Sequence, residues 1–282
     1  GILYILGMAF LSAAMNSAAR HMTDTIHPFE IVFFRNLFGS LFVLPIIIRY
    51  GFSILKTQRF STHLGRAGLN VINHLFFFTA LSLTTLSELV ALGFTAPIFT
   101  TMLAVILFGE IAGWRRWGAI IFAFFGTLII LKPGIDNITL GHGMTLMAAL
   151  TWVGVLLFIK SLSDTERSIT IVAYATFLMT PLSLIPALFV WQWPTYNELM
   201  WLAFIGLTAG CAQFFIAQAL HETDLNVVMP FDFTKLIWVS VIAFLFFGEI
   251  PELTTWLGGA IIFSAGIYVA HREAAKNPKT GS

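Results

Sequence analysis

Residues 142–160, HGMTLMAALTWVGVLLFIK, and residues 168–190, SITIVAYATFLMTPLSLIPALFV, decide the structural class of this protein. The two stretches contain no Asp, Glu, Lys or Arg other than Lys160 at the end of the first. An α-helix needs about 20 apolar residues to cross roughly 30 Å of hydrocarbon. Because the bilayer core offers the main chain no hydrogen-bond partners, we expect both stretches to be transmembrane helices.

The same pattern recurs along the whole chain and predicts ten spans. The connections are short, the longest being residues 49–64, so no room remains for a soluble catalytic domain. We therefore expect an all-α integral membrane protein with ten transmembrane helices. The predicted spans are 2–20, 29–48, 65–83, 87–108, 114–131, 142–160, 168–190, 199–220, 225–247 and 253–270.

Composition agrees with the spans, because 58% of the 282 residues are hydrophobic, only 10% are charged, and the mean hydropathy is +0.87. A soluble protein carries about a quarter charged residues, which cover its surface. The net charge of +1 provides no basic surface for nucleic acid. The single cysteine, Cys211, argues against a disulfide framework and a cysteine-based metal site. We expect a lipid-embedded protein with no metal, cofactor or nucleic-acid partner.

The distribution of Lys and Arg predicts the orientation. If the N-terminus is cytoplasmic, eleven basic residues lie on the inner side and only Arg20 and Lys132 lie on the outer side. Cytoplasmic loops carry an excess of basic residues, so we expect both termini inside. Arg35, near the outer end of span 2, is expected to extend to the lipid headgroups. The inner residues are Arg49, Lys56, Arg59, Arg66, Arg115, Arg116, Lys160, Arg167, Arg272, Lys276 and Lys279.

The two halves of the chain align at an offset of 139–140 residues. With five spans per half, the second half enters the membrane from the opposite side. Such an inverted repeat supplies the two near-equivalent packings that alternating access requires. A duplicated membrane enzyme is the alternative. The matches are Arg20–Thr25 with Lys160–Thr165, Ala80-Leu81 with Ala219-Leu220, Phe108-Gly109-Glu110 with Phe247-Gly248-Glu249, and Gly118 and Gly126 with Gly258 and Gly266.

The segment Ala80-Leu81, Ala96-Pro97, Phe108-Gly109-Glu110, Trp117-Gly118 and Gly126-Thr-Leu resembles the first half of EamA-type members of the drug/metabolite transporter superfamily. Within that family the chain is similar to YddG-type bacterial exporters of amino acids. The resemblance implies a multi-pass exporter of the bacterial plasma (inner) membrane, with a cavity between its halves.

On this basis we expect one repeat at residues 1–134, a second, inverted repeat at 135–272 and a cytoplasmic tail at 273–282. We also expect the protein to function as a monomer.

His74 in span 3 and Gln213 in span 8 occupy equivalent positions of the two halves, near the bilayer midplane. Polar groups at that depth are costly unless they face a partner or water. The pair therefore predicts one polar substrate site between the halves. The alternative is that each side chain hydrogen-bonds a neighbouring helix and only holds the bundle together.

Span 9 carries Asp232 and Lys235 three residues apart, on one face of a helix. The pair either neutralises itself or serves as a template for a zwitterionic amino acid. Trp152, Tyr174 and Trp238 are aromatic residues away from the interfaces. They are candidates for an apolar cavity wall, with ordinary packing as the alternative.

Pro97 and Pro230 interrupt main-chain hydrogen bonding in spans 4 and 9 and are the hinge candidates. Gly206 and Gly210 form a small-xxx-small motif that predicts a close helix contact. No phosphate-binding or catalytic motif is present, so we expect neither ATP hydrolysis nor enzymatic activity.

We therefore expect an exporter of amino acids, including aromatic and large apolar ones, that works by alternating access and follows the substrate gradient. The alternatives are a multidrug or nucleotide-sugar carrier of the same superfamily and a membrane-embedded enzyme.

Overall fold

The computed structural model describes residues 1–51, 55–93, 95–96, 98–99, 102–103, 114–131, 139–222, 231, 234–248, 250 and 252–276. All regular secondary structure in these residues is helical, as predicted, and they form ten helices. The helices are α1 (Ile2–Met22), α2 (Pro28–Tyr50), α3 (Phe60–Leu83), α4 (Leu86–Gly93), α5 (Trp114–Leu131), α6 (Leu140–Ser163), α7 (Ser168–Leu188), α8 (Tyr196–Glu222), α9 (Thr234–Phe247) and α10 (Leu253–Lys276).

Five of the described helices are long and apolar enough to cross a membrane. Predicted spans 4 and 9 are described only in part. The residues Phe108, Gly109, Glu110 and Glu249 lie outside the described residues. The five are Ile2–Met22, Pro28–Arg49, Leu140–Ser163, Ser168–Leu188 and Tyr196–Glu222.

Local sequence sets both ends of α2. Pro28 occupies the first turn, where main-chain amide hydrogens have no partner within the helix. Proline lacks this hydrogen, so no helical hydrogen bond is lost there. The ring nitrogen of His27 accepts a hydrogen bond from the Phe29 amide at 3.3 Å. Gly51 ends the helix with a φ of 77°, a conformation that favours glycine.

Helices of the first half pack mainly against helices of the second half. The first helix of each half lies against the third helix of the other half: α1 packs on α8, and α6 packs on α3. Exchanging the two halves leaves the α5–α10 and α2–α7 pairs unchanged. This packing is compatible with the predicted repeat, and it places the interface between the halves at the centre of the bundle.

Glycines allow α2 and α8 to approach closely. A Cβ atom added at Gly206 would lie 2.4 Å from the Cβ of Phe38 and 2.9 Å from the amide nitrogen of Gly39. One added at Gly210 would lie 2.9 Å from the Cβ of Phe42. The predicted close contact at this small-residue motif is therefore confirmed.

The bundle has two ends, which we name from the predicted orientation. The outer end carries the helix ends Met22 and Leu83, and the inner end carries Gly1 and Glu222. At the inner end the N-terminal ammonium lies 2.6 Å from a carboxylate oxygen of Glu222. The orientation relative to the membrane stays a prediction.

Helix α3 begins at Phe60, five residues before the predicted start at residue 65. Arg66 therefore lies inside the helix, with its side chain fully buried, and does not belong to an inner loop. The Lys and Arg count on the inner side falls from eleven to ten, which leaves the predicted orientation unchanged.

Candidate functional site

Two arginines are buried inside the described helices. At 1.5 Å per residue, Arg35 lies about 10 Å from the outer end of α2, and Arg66 lies about 9 Å from the inner end of α3. Arg35 is 6% exposed and Arg66 is fully buried, so the expectation that Arg35 extends to the headgroups is wrong. Neither guanidinium forms an ion pair with a carboxylate of the described residues. Charged residues inside membrane-spanning segments are costly unless they have partners, so the partners of each arginine indicate its role.

Arg35 is surrounded by neutral groups from four helices. Its Nη1 donates to Asn36 Oδ1 at 3.1 Å and lies 3.4 Å from His74 Nδ1. Its Nε donates to the sulfur of Met15 at 3.4 Å. Asn36 Nδ2 donates in turn to Ser183 Oγ at 3.2 Å. We call these five residues the outer polar cluster, and they join α1, α2 and α3 to α7 of the second half.

Arg66 has stronger acceptors. Its Nη1 donates to the main-chain oxygen of Ile171 at 2.8 Å, and its Nη2 donates to Gln213 Oε1 at 3.0 Å. Nε has no hydrogen-bond partner among the described residues. We call these three residues the inner polar cluster. It ties α3 of the first half to α7 and α8 of the second.

The structure thus places His74 and Gln213, the repeat-equivalent pair, in two different clusters. Both side chains are buried, and each contacts one of the two arginines. That His74 and Gln213 share one aqueous space stays a prediction.

Tyr174 lies near the inner end of α7. Its hydroxyl donates to the main-chain oxygen of Leu55 at 2.7 Å, and its ring stacks on His63 with centroids 4.5 Å apart. These contacts join α7 to the first turn of α3 and to the segment that precedes it. In this conformation the hydroxyl of Tyr174 therefore donates to the protein itself.

Trp152 and Trp238 lie in different surroundings. Trp152 of α6 is partly buried and packs against the apolar core around α1, α6, α7 and α8. Trp238 of α9 is 41% exposed, and its ring meets that of Phe10 edge-on at 5.2 Å. Contact with Phe10 places Trp238 on the α1 side of α9.

The remaining predicted residues are only partly described. Lys235 is the second residue of α9 and is partly buried. Asp232, Pro97 and Pro230 lie outside the described residues, so the Asp232–Lys235 pair and both hinge candidates stay predictions.

Polar contacts at the inner end tie the start of α3 and the segment before it to the end of α6 and the segment that joins α6 to α7. Glu166 lies 2.6 Å from His63 Nε2 and also accepts a hydrogen bond from the Thr57 hydroxyl. Arg59 donates to the main-chain oxygen of Ser161 at 2.6 Å. These bonds cross between the halves and connect them at the inner end in this conformation.

Two further bonds are equivalent under the repeat offset. Arg20 Nη1 donates to the main-chain oxygen of Leu81 at 2.9 Å at the outer end. Lys160 Nζ donates to that of Leu220 at 3.3 Å at the inner end. Equivalent cations therefore hold equivalent carbonyl groups at opposite ends of the bundle.

Arg35, Asn36 and Arg66 were not among the predicted site residues. A charged residue several positions inside a span was the available signal for Arg35. Arg66 carried the same signal, but the predicted boundary at residue 65 placed it at the start of span 3. An error of five residues at a helix end thus concealed a buried charge.

Comparison with known proteins gives matches over nearly the whole chain. The model of the EamA-like transporter family matches residues 1–132 and again residues 139–270. The S-adenosylmethionine uptake transporter of Rickettsia bellii is 27% identical over 97% of this chain and 94% of the relative. The riboflavin transporter of Vibrio cholerae is 31% identical over 98% of this chain and 95% of the relative. The pseudopaline exporter of Pseudomonas aeruginosa is 24% identical over 97% of this chain and 96% of the relative.

A solved crystal structure has the same fold. It superposes on this chain with a TM-score of 0.69 and 15% sequence identity, and the match covers 97% of this chain and 99% of the other. At that identity the likeness concerns the fold alone.

Proposed function

This chain belongs to the EamA-like transporter family, and from that premise we propose that it carries amino acids and related small metabolites across the membrane by alternating access. It is a multi-pass protein of the bacterial inner membrane. The two halves of the carrier are inverted repeats at residues 1–134 and 135–272, followed by a cytoplasmic tail at 273–282. The carrier functions as a monomer, with both termini inside.

One observation carries the proposal of two inverted halves. Arg20 and Lys160 donate to the equivalent carbonyl groups of Leu81 and Leu220, and the two bonds lie at opposite ends of the bundle. A carrier whose ends are built alike can exchange an inward-open packing for an outward-open one at little cost in free energy. The polar clusters between the halves then become accessible from either side in turn.

The substrate site in this proposal lies between the halves, at His74 and Gln213. Both are buried at the interface of the two halves and beside a cation. Trp152, Tyr174 and Trp238 supply aromatic surface for large apolar side chains. Asp232 and Lys235 are the proposed charged pair at the α9 side.

Amino acids and their conjugates suit a site of this kind. S-adenosylmethionine, after which the Rickettsia bellii relative is named, combines an α-amino acid with an aromatic base. We favour export of amino acids, including aromatic ones, as in the YddG-type proteins that the chain resembles. The name of the Pseudomonas aeruginosa relative also describes an exporter.

A second candidate substrate is a flavin. The riboflavin transporter of Vibrio cholerae is more similar to this chain, at 31% identity, than the other two relatives compared above. Riboflavin has a planar aromatic ring and no carboxylate, so its recognition would depend on the aromatic residues. The direction of transport also has an alternative. The S-adenosylmethionine relatives are named as uptake transporters, so uptake is the alternative to export.

Transport by the purified protein in proteoliposomes tests the proposal. Labelled L-phenylalanine, L-methionine, S-adenosylmethionine and riboflavin are offered from either side, with protein-free vesicles as the control. We expect saturable transport of at least one amino acid or of S-adenosylmethionine. Transport of riboflavin alone would favour the second candidate, and rates equal to those of protein-free vesicles for all four compounds would refute the proposal.

A further inference from the structure

The two buried arginines differ in the hydrogen-bond donors that remain available. Arg66 donates through both terminal nitrogens to carbonyl oxygens, and its remaining donor, Nε, belongs to a side chain that is fully buried and out of reach of a ligand, so Arg66 has a structural role. Arg35 has a thioether, an imidazole and a neighbouring amide as its acceptors. Its Nη2 makes no hydrogen bond to any residue that the structure describes. Arg35 is therefore the arginine that can take a further acceptor.

The outer polar cluster also lacks a negative charge. Among the described residues, the nearest acid along α2 is Glu30, and its carboxylate accepts a hydrogen bond from the Gln192 amide at 3.2 Å. Glu30 forms no ion pair with Arg35. Among the residues that the structure describes, the guanidinium of Arg35 thus has neutral acceptors alone, an arrangement that an arriving anion would stabilise.

We infer that Arg35 binds the carboxylate of the transported substrate, an inference that rests on the proposed function and specifies its substrate class. A guanidinium presents two parallel N–H groups that match the two oxygens of a carboxylate. One carboxylate has the single negative charge that the outer polar cluster lacks. A phosphate dianion would leave one buried negative charge in excess.

Neighbouring side chains hold Arg35 in position for this contact. Asn36 accepts from Nη1 and is itself anchored to Ser183 of α7, and His74 lies on the same nitrogen. A carboxylate binds a guanidinium more strongly than an amide, imidazole or thioether does, because both partners are ionised and two parallel N–H···O bonds can form. A substrate carboxylate can therefore accept a hydrogen bond from the free Nη2 and compete with Asn36 and His74 for Nη1.

The position of the cluster suits a carrier. Met15, Arg35, Asn36 and His74 belong to the first half, whereas Ser183 belongs to the second. Relative motion of the halves changes the distance between Asn36 and Ser183 and so opens the cluster. Binding of a carboxylate at Arg35 is thereby linked to the motion that moves the substrate.

Paired ligands that differ only in the carboxylate test the inference. L-Phenylalanine is compared with L-phenylalaninamide, and L-methionine with L-methioninamide, as competitors of transport and as stabilisers of the purified protein against heat. We expect the wild-type protein to prefer each acid over its amide by roughly 10- to 100-fold, the range for a hydrogen bond to a charged group. Arg35→Gln should bring that ratio close to one, and Arg35→Lys should give an intermediate ratio.

The ratio is measured within one protein sample, so a partial loss of folded protein does not affect it. Arg167→Gln, which removes an exposed charge outside the helix bundle, serves as the matched control and should keep the wild-type ratio. If Arg35→Gln does not fold, the ratio for Arg35→Lys decides the result. Full discrimination by the Arg35 variants, or none by the wild-type protein, would overturn the inference. If the wild-type protein binds each acid more tightly than its amide but transports neither, the proposed function is wrong and the inference about Arg35 stands.

Discussion

Substitution of Gly206 by alanine tests the packing of α2 on α8, a close contact between the two halves. The new Cβ would lie 2.4 Å from the Cβ of Phe38, whereas ordinary contacts begin at 3.4 Å. It would also lie 2.9 Å from the amide nitrogen of Gly39 and 3.0 Å from the main-chain oxygen of Arg35. None of these atoms can move by a side-chain rotation, so the helices must separate by about 1 Å at this level.

Overpacking of this kind costs about 1–3 kcal/mol, and the better helix propensity of alanine returns up to about 1 kcal/mol. We expect a net loss of about 1–2 kcal/mol for Gly206→Ala, which lowers the melting temperature by roughly 2–8 °C. Unfolding is followed in detergent by tryptophan fluorescence, since the chain contains eight tryptophans.

Gly68→Ala is the matched control, because a Cβ at Gly68 of α3 meets no atom within 4 Å. It should leave the melting temperature unchanged or raise it by the propensity of alanine alone. If Gly206→Ala proves as stable as Gly68→Ala, the close approach of α2 and α8 is wrong, and so is the reasoning built on it.

Three further predictions concern the site, the orientation and the energy source. His74→Leu and Gln213→Leu should each leave a folded protein with at least roughly tenfold slower transport, since each removes a polar contact from the interface between the halves; wild-type rates in both would make them structural. In a Cys211→Ser background, Gln58→Cys should react with membrane-impermeant maleimide only from the cytoplasm and Trp193→Cys only from outside; the reverse result would invert the topology. An imposed pH gradient should not drive accumulation of substrate, because every acidic side chain of the described helices lies in a first or last turn. Accumulation of substrate against its own concentration gradient would show proton coupling.

The helices were predictable because hydrocarbon leaves the chain few options. In an apolar run long enough to cross the bilayer, the main-chain N–H and C=O groups find hydrogen-bond partners when the run is a helix. Helix α5 begins and ends at the predicted residues, 114 and 131, and α6 exceeds its predicted span by a few residues at each end. Helix ends such as that of α3 were less predictable, because polar residues can continue a helix beyond the bilayer core.

The arginines show why the site was harder to predict than the fold. Whether a charge near a helix end extends to the headgroups or turns into the bundle depends on neighbouring helices, which sequence periodicity does not describe. His74 for Arg35, and Ile171 and Gln213 for Arg66, are such neighbours, and all three are distant in sequence. Depth alone indicated His74 and Gln213, but their separate partners became visible only in the packed structure.

Distance measurements between spin labels can show whether two inverted halves alternately open the two ends of the bundle. One pair of labels is placed at the inner end, on Gln58 and Asp164, in the Cys211→Ser background. The other is placed at the outer end, on Asn197 and Asp24, which are the repeat equivalents of the first pair at offsets of 139 and 140 residues. All four positions are exposed.

Electron–electron double resonance is recorded in lipid with and without a saturating concentration of a compound that the protein transports. If the two halves alternate, the two label distances should change in opposite directions. One distance distribution should shift to longer values while that of the repeat-equivalent pair shifts to shorter values. Distances that stay fixed, or that both lengthen or both shorten while transport proceeds, would contradict alternating access by two inverted halves.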